Sequence, residues 1–235
     1  MSASVFLIPT VLIDGQTDCL PAYLLKAIQQ CQIFFVENER TARRFLKSLW
    51  KEMVIDDFEW FNMQRVTSET EAAFKQKLKE NKTIGIISEA GCPGVADPGQ
   101  KLVAIAQQLN VVVKPFVGPN SILLALMASG MNGQNFQFVG YLPIDMAERI
   151  KAIKTLESES KQESCTQIFI ETPYRNNQLL EALVKTCHPQ TRVCVAVDLT
   201  SPQEFIRTMM VQKWKNKLPD LHKRPAIFLM YAGEI

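Results

Sequence analysis

A chain of 235 residues, 47% hydrophobic and 21% charged, has the balance of a folded protein with one large or two small cores, which excludes a disordered segment. Its net charge of +2 demands no nucleic-acid partner, although it leaves room for a local basic face. Only two histidines, His188 and His222, argue against a histidine-rich zinc site or a Ser-His-Asp triad, and no metal is expected.

The opening MSASVFLIP carries no basic n-region and reads as a first strand, not a signal peptide. Strand-length apolar runs follow at 33–37 (IFFVE), 83–88 (TIGIIS) and 111–116 (VVVKPF), alternating with helical patterns at 20–30, 40–50, 68–80 and 99–109. Ser68 with Glu71 reads as a capping box opening the third helix. This alternation predicts a mostly parallel sheet with helical crossovers. A turn, VGPN, follows at Val117, and the expected domain boundary lies there: an N-terminal α/β domain over 1–117 and a C-terminal one over 118–235.

The second half opens with a helix over 119–129 and a strand over 136–142. A charged helix from Met146 to about Ser160, a strand over 167–171, a helix over 175–187 and a strand over 192–198 follow. FIRTMMV and AIFLMY read as strands around a short basic helix. Several of these strands follow one another directly, so a mixed sheet is expected. No window holds eighteen apolar residues, and no membrane association is expected. The six cysteines form no CxxC pair and read as reduced core thiols of a cytoplasmic protein.

One link between a strand and a helix stands apart. Residues 88–99, SEAGCPGVADPG, hold two carboxylates, three glycines and two prolines. Asp97 and Pro98 fit the N-cap and first position of the next helix. Gly91, Gly94 and Gly99 permit positive φ or a close approach of backbone to a ligand. The link follows a parallel strand, where ligands of open α/β sheets collect. It is neither GxGxxG nor a Walker A loop, so the common dinucleotide and triphosphate motifs are absent. The residues alone indicate a small-molecule loop in an α/β protein.

The stretch ISEAGCPGVADPG resembles the S/D-D-A-G-T-P-x-x-x-D-P-G loop of the tetrapyrrole-methylase-like S-adenosylmethionine methyltransferases. The branch it is most similar to methylates a ribose 2′-hydroxyl of a cytidine in small-subunit ribosomal RNA. VENERTARRFL (36–46), PFVGPNSILLALMASGM (115–131), NFQFVGYLP (135–143) and IFIETPYR (168–175) resemble further motifs of that branch, in the same order. The resemblance implies two α/β domains with the cofactor in the cleft between them, a homodimer, and S-adenosylmethionine as methyl donor.

By position in that pattern, Gly91, Cys92, Pro93, Val95 and Ala96 would line the cofactor, with Ser121 and Ile122 at a helix start and Ala226 in the last strand. Arg40, Arg43 and Arg175 would face an RNA substrate, where guanidinium groups suit phosphate. A ribose hydroxyl is a poor nucleophile that a carboxylate base assists, and Glu37, Glu89 and Glu171 are the candidates. Lys213, Lys215 and Lys217 could extend a basic rim or simply form a charged surface helix.

The pattern also breaks. The branch opens with T-P-x-G-N-L, and IPTVLIDGQTD has no Gly-Asn step. Asn38, Glu39 and Tyr174 replace Asp, Thr and His, and Val197, Asp198 and Ser201 replace charged residues of A-R-E-L-T-K. Three readings follow: a methyltransferase acting on ribosomal RNA, one acting on a small molecule, and a non-catalytic cofactor-binding relative.

Overall fold

The computed structural model describes residues 2–215 and 217–234. The chain divides into two units, one ending at Asn120 and the other beginning at Ser121. The first contains β1 (Ser4–Leu7), α1 (Leu24–Ile28), β2 (Ile33–Val36), α2 (Glu39–Leu49), β3 (Glu59–Asn62), α3 (Ser68–Lys79), β4 (Thr83–Ile87), α4 (Gln100–Gln108) and β5 (Val112–Pro115). All its strand pairs are parallel, in the order β3-β2-β4-β1-β5. Alternate residues bury on opposite faces: Ile33 and Phe35 join one core cluster with Phe74 and Leu102, and Phe34 and Val36 join another with Ile28 and Leu46. Gly85 lets the two faces close, because a Cβ there would lie 2.7 Å from the Phe34 ring.

The second unit contains α5 (Ser121–Ser129), β6 (Phe136–Tyr141), α6 (Met146–Glu163), β7 (Thr166–Ile170), α7 (Asn176–Thr186), β8 (Arg192–Val197), β9 (Phe205–Met210), α8 (Val211–Trp214) and β10 (Ala226–Tyr231). Its sheet, β6-β7-β10-β8-β9, is mixed: β6 and β7 are parallel, and the remaining neighbours are antiparallel. The core gathers Phe169, Phe228 and Trp214, and the buried Trp214 indole donates to the carbonyl of Val193 at 3.0 Å.

Several expectations need correction. β3 was not anticipated: EWFN has only two apolar residues, too short a run to give a period. Trp60 and Phe61 nevertheless stack on Phe34 and Phe35, at 5.0 and 4.7 Å between ring centroids. The first helix is only Leu24–Ile28, because Leu24 N donates to Pro21 O in a tighter turn instead of continuing an α-helix backwards. Thr67, not Ser68, caps α3, its hydroxyl accepting from Thr70 N at 3.3 Å. Four cysteines are buried, but Cys19 is exposed and Cys92 only partly enclosed, so they are not core thiols. Among the described residues, no helix is long and apolar enough to cross a membrane.

Candidate functional site

A parallel sheet brings the carboxyl ends of all its strands to one edge. In the first unit that edge carries Thr10 beyond β1, Glu37 beyond β2 and Ser88 beyond β4. Glu37 N still follows the ladder, donating to Ile87 O at 3.0 Å. Its side chain then turns to the next loop, where Oε2 accepts from Glu89 N at 2.9 Å. Glu89 in turn accepts from the Thr41 hydroxyl at 2.6 Å. Asn62, at the end of the unanticipated β3, donates to the Glu37 carbonyl at 3.1 Å. Asn38 caps α2, accepting from Arg40 N and Thr41 N, and so places Thr41 under Glu89.

The loop over 88–99 is held open by backbone geometry. Gly91 has φ +71°, and its carbonyl accepts from Thr10 N at 2.8 Å. A Cβ on Gly91 would meet Leu12 Cδ2 and the Pro119 carbonyl, each at 3.3 Å. Gly118 is tighter still, since a Cβ would overlap Pro9 Cβ at 2.1 Å. Pro93 is buried, whereas Val95 and Ala96 are exposed, and Ala96 has a strained φ of +63°. Cys92 Sγ lies 3.5 Å from the Pro119 carbonyl, and burial raises its thiol pKa above the usual range.

Asp97 is not the N-cap. Gly99, at φ +122°, takes that position, and Pro98 lies outside the helix. The Asp97 carboxyl instead sits half-buried near Glu37 and Glu89. Burial first, and the Glu37 charge second, push its pKa up to about 6, against a hydrogen bond from Ser88 that lowers it. Three carboxylates therefore crowd one strand edge.

Two hollows adjoin them. One, of about 250 Å³, is lined by Thr10, Leu12, Thr41, Ser88 and Glu89, with Arg44 at its wall. Arg44 pairs there with Asp14 at 2.9 Å. The other, of about 380 Å³, is lined by Glu37, Arg40, Asn62 and Glu89. Glu89 faces both. Arg40 and Arg43 do not act alike. Arg40 is exposed at the second hollow, while Arg43 stacks over Trp60, 5.0 Å from its ring centroid, and pairs with Glu39.

The second unit carries the remaining candidates. Glu171, just beyond β7, is buried and fully engaged. Its Oε1 accepts from Arg175 at 2.7 Å and from Thr172 N at 2.7 Å, and its Oε2 accepts from Arg149 at 3.3 Å. Arg149, itself buried, also donates to the Pro143 carbonyl at 2.8 Å. Arg175 is thus committed to Glu171. Ser121 and the buried Ile122 open α5, and Ala226 opens β10 opposite Val197. Tyr174 is exposed and meets the His222 ring edge-on.

Thr41, Asn62, Asp97 and Arg149 are polar members of these clusters that sequence reasoning did not assign to them. Asp97 was visible as an unusual loop carboxylate but its capping geometry is equally ordinary. Arg149 carried no signal, being one cation on a charged helix. Among the described residues, no group of three or more His, Cys, Asp or Glu side chains is arranged to hold a metal ion.

Residues 14–213 match the family profile described as Tetrapyrrole (Corrin/Porphyrin) Methylases. A "Ribosomal RNA small subunit methyltransferase I" of Halalkalibacterium halodurans is 35% identical over 131 residues, covering 55% of this chain and 44% of that protein. One of the same description from Micromonospora olivasterospora is 28% identical over 207 residues, covering 88% of this chain and 63% of the relative. The chain spans about half the length of the curated relatives it matches. A crystal structure of the methyltransferase CobJ shares the fold, with TM-score 0.62 at 16% identity, covering 98% of this chain and 93% of the other.

Proposed function

For a chain that belongs to the tetrapyrrole (corrin/porphyrin) methylase family, we propose an S-adenosylmethionine-dependent methyltransferase acting on a ribose 2′-hydroxyl of small-subunit ribosomal RNA. The observation that carries this reading is the crowding of Glu37, Glu89 and Asp97 at one strand edge beside a loop with open backbone. Like charges so placed repel, and a cationic ligand relieves that repulsion. S-adenosylmethionine supplies a methyl group on a sulfonium, already activated for transfer. Its ammonium and sulfonium charges suit this acidic edge.

Gly91, Cys92, Pro93, Val95 and Ala96 are assigned to the cofactor in the first unit. The cofactor assignment in the second unit, to Ser121, Ile122 and Ala226, rests on sequence resemblance. Glu89 is assigned as proton acceptor for the ribose hydroxyl: it is exposed, faces both hollows, and is aimed by Thr41 and Glu37. Glu37 is a positioning residue. Glu171 does not suit the role of base, because two arginines and a backbone N–H occupy its oxygens. We assign Glu171 to ordering Arg175. Arg40 is assigned to phosphate, while Arg43 acts through packing on Trp60.

The curated relatives named for small-subunit ribosomal RNA favour that substrate over a tetrapyrrole. Placement in the cytoplasm and assembly as a homodimer belong to the same reading. Transfer of a labelled methyl group to isolated small-subunit RNA tests it. Label in RNA supports the proposal, label only in a small-molecule pool replaces the substrate, and no transfer with cofactor bound indicates a non-catalytic relative.

A further inference from the structure

A further hollow lies at one end of the second unit's sheet. About 520 Å³ in volume, it is lined by Lys154, Glu157 and Lys161 from α6, by Thr191 and Arg192 at the start of β8, and by Glu234 among others. Strand register separates it from Glu171. Arg192 pairs with Tyr231 at the end of β10, whereas Ile170, just before Glu171, pairs with Ile227 near the beginning of β10. Four residues of extended strand part the two ends, about 13 Å.

The charges around this hollow are arranged unusually. Glu157 stands three residues after Lys154 and four before Lys161, where a helix would let it pair with either. It pairs with neither. Its Oε1 is drawn inward, accepting from His188 N at 2.7 Å and from the buried Thr191 hydroxyl. On α7 the analogous Glu181 does pair with Lys185, at 3.1 Å. Among the described residues, Lys154 and Lys161 therefore have no ion-pair partner. Arg192 adds a fixed cation, its guanidinium held by the Gly233 carbonyl at 2.7 Å and lying over the Tyr231 ring.

The spacing selects the ligand. Seven residues of helix place Lys154 and Lys161 about 10 Å apart along the axis, farther than one phosphate group reaches. Lys151 continues the same face one turn earlier. A polyanion with successive phosphates fits this row, and a single phosphate does not. We infer that the Lys154–Lys161 face of α6, with Arg192, is a docking site for the phosphate backbone of RNA, separate from the Glu171 end of the sheet. This inference rests on the RNA reading of the proposed function. The site positions RNA without reading its bases.

The test uses the full chain, a fluorescently labelled fragment of small-subunit ribosomal RNA, and anisotropy across a salt series. Lys154→Ala with Lys161→Ala should weaken binding about tenfold and make the slope of log affinity against log salt shallower by about one to two. S-adenosylmethionine affinity and thermal midpoint should stay as in the native protein. Lys154→Arg with Lys161→Arg should keep native RNA affinity, and Lys185→Ala, on the paired helix α7, should change nothing. Unchanged RNA affinity and salt slope in the double alanine variant would overturn the docking site and leave the RNA reading standing. No RNA binding by the native protein would overturn both.

Discussion

The backbone N–H of Glu89 donates to Glu37 Oε2 at 2.9 Å, so the residue two beyond one central strand is held by the residue after its neighbour. β2 and β4 are adjacent and parallel, and their carboxyl ends meet there. If Glu89 takes the proton, losing its charge removes the base, whereas losing that of Glu37 disturbs only aim. Glu89→Gln should lower the methyl-transfer rate about 100-fold, within the usual range for a general base. Glu37→Gln should cost less and shift the pH profile. Each also removes a charge from the acidic edge and should weaken S-adenosylmethionine binding, so the rates are compared at saturating cofactor. Comparable rates for Glu89→Gln and the native protein would remove Glu89 from catalysis.

Asp97 gives a pH-dependent stability. Its folded-state pKa, about 6, lies above the ordinary 3.8. The proton is therefore held more tightly in the folded protein, and its stabilisation is full below about pH 4 and lost as pH rises through about 6. Asp97→Asn should thus be more stable than native at pH 8, by about 1 kcal/mol once solvent screening of this partly exposed group is allowed for. That corresponds to about 2–4 °C in Tm. At pH 4 the gain should vanish. Thermal melts of both proteins at the two pH values check this, and an equal shift at both would contradict it.

Glu171 has a structural role within the second unit. Removing its charge leaves Arg149 buried with only carbonyl partners. Glu171→Gln should therefore destabilise the protein by about 3 kcal/mol, the low end for breaking a buried pair, because the Pro143 and Ile144 carbonyls still accept from Arg149. Urea titration measures this. A loss below about 1 kcal/mol would show that the pair is not worth what its burial implies.

The end of the edge strand β6, the turn after it and the first residue of α6 expose Tyr141, Ile144 and Met146, at 61%, 70% and 75%. A run of large apolar side chains on an edge marks an association surface. Sedimentation at micromolar concentration should give twice the chain mass of 26.6 kDa. Ile144→Glu with Met146→Glu should give the single-chain mass. A native monomer would contradict the homodimer.

Much of the fold was legible because both sheets are built from long apolar runs. IFFV is buried at every position, and AIFLMY is observed over the residues read from sequence. EWFN failed because an edge strand needs only two apolar residues when each meets an aromatic partner already in place. The loop at 88–99 was legible as an unusual link, and Gly91, Gly94 and Gly99 do take positive φ there. The chemistry around it was not. Asp97 fits an N-cap by sequence and becomes a crowded carboxylate only when β2 and β4 bring Glu37 and Glu89 beside it. Arg43 and Arg175 were expected to face an RNA substrate, but Arg43 stacks on Trp60 and Arg175 is bound to the buried Glu171.

Calorimetric titration with S-adenosylmethionine tests the central claim most directly. The native protein should bind with a micromolar-range Kd, about −8 kcal/mol. Gly91→Val should abolish binding, because Gly91 has φ +71° and a side chain there meets Leu12 and the Pro119 carbonyl. A melting curve must first show that this variant is folded. Heat absent from the native protein at millimolar ligand, or undiminished in a folded Gly91→Val, would contradict the account.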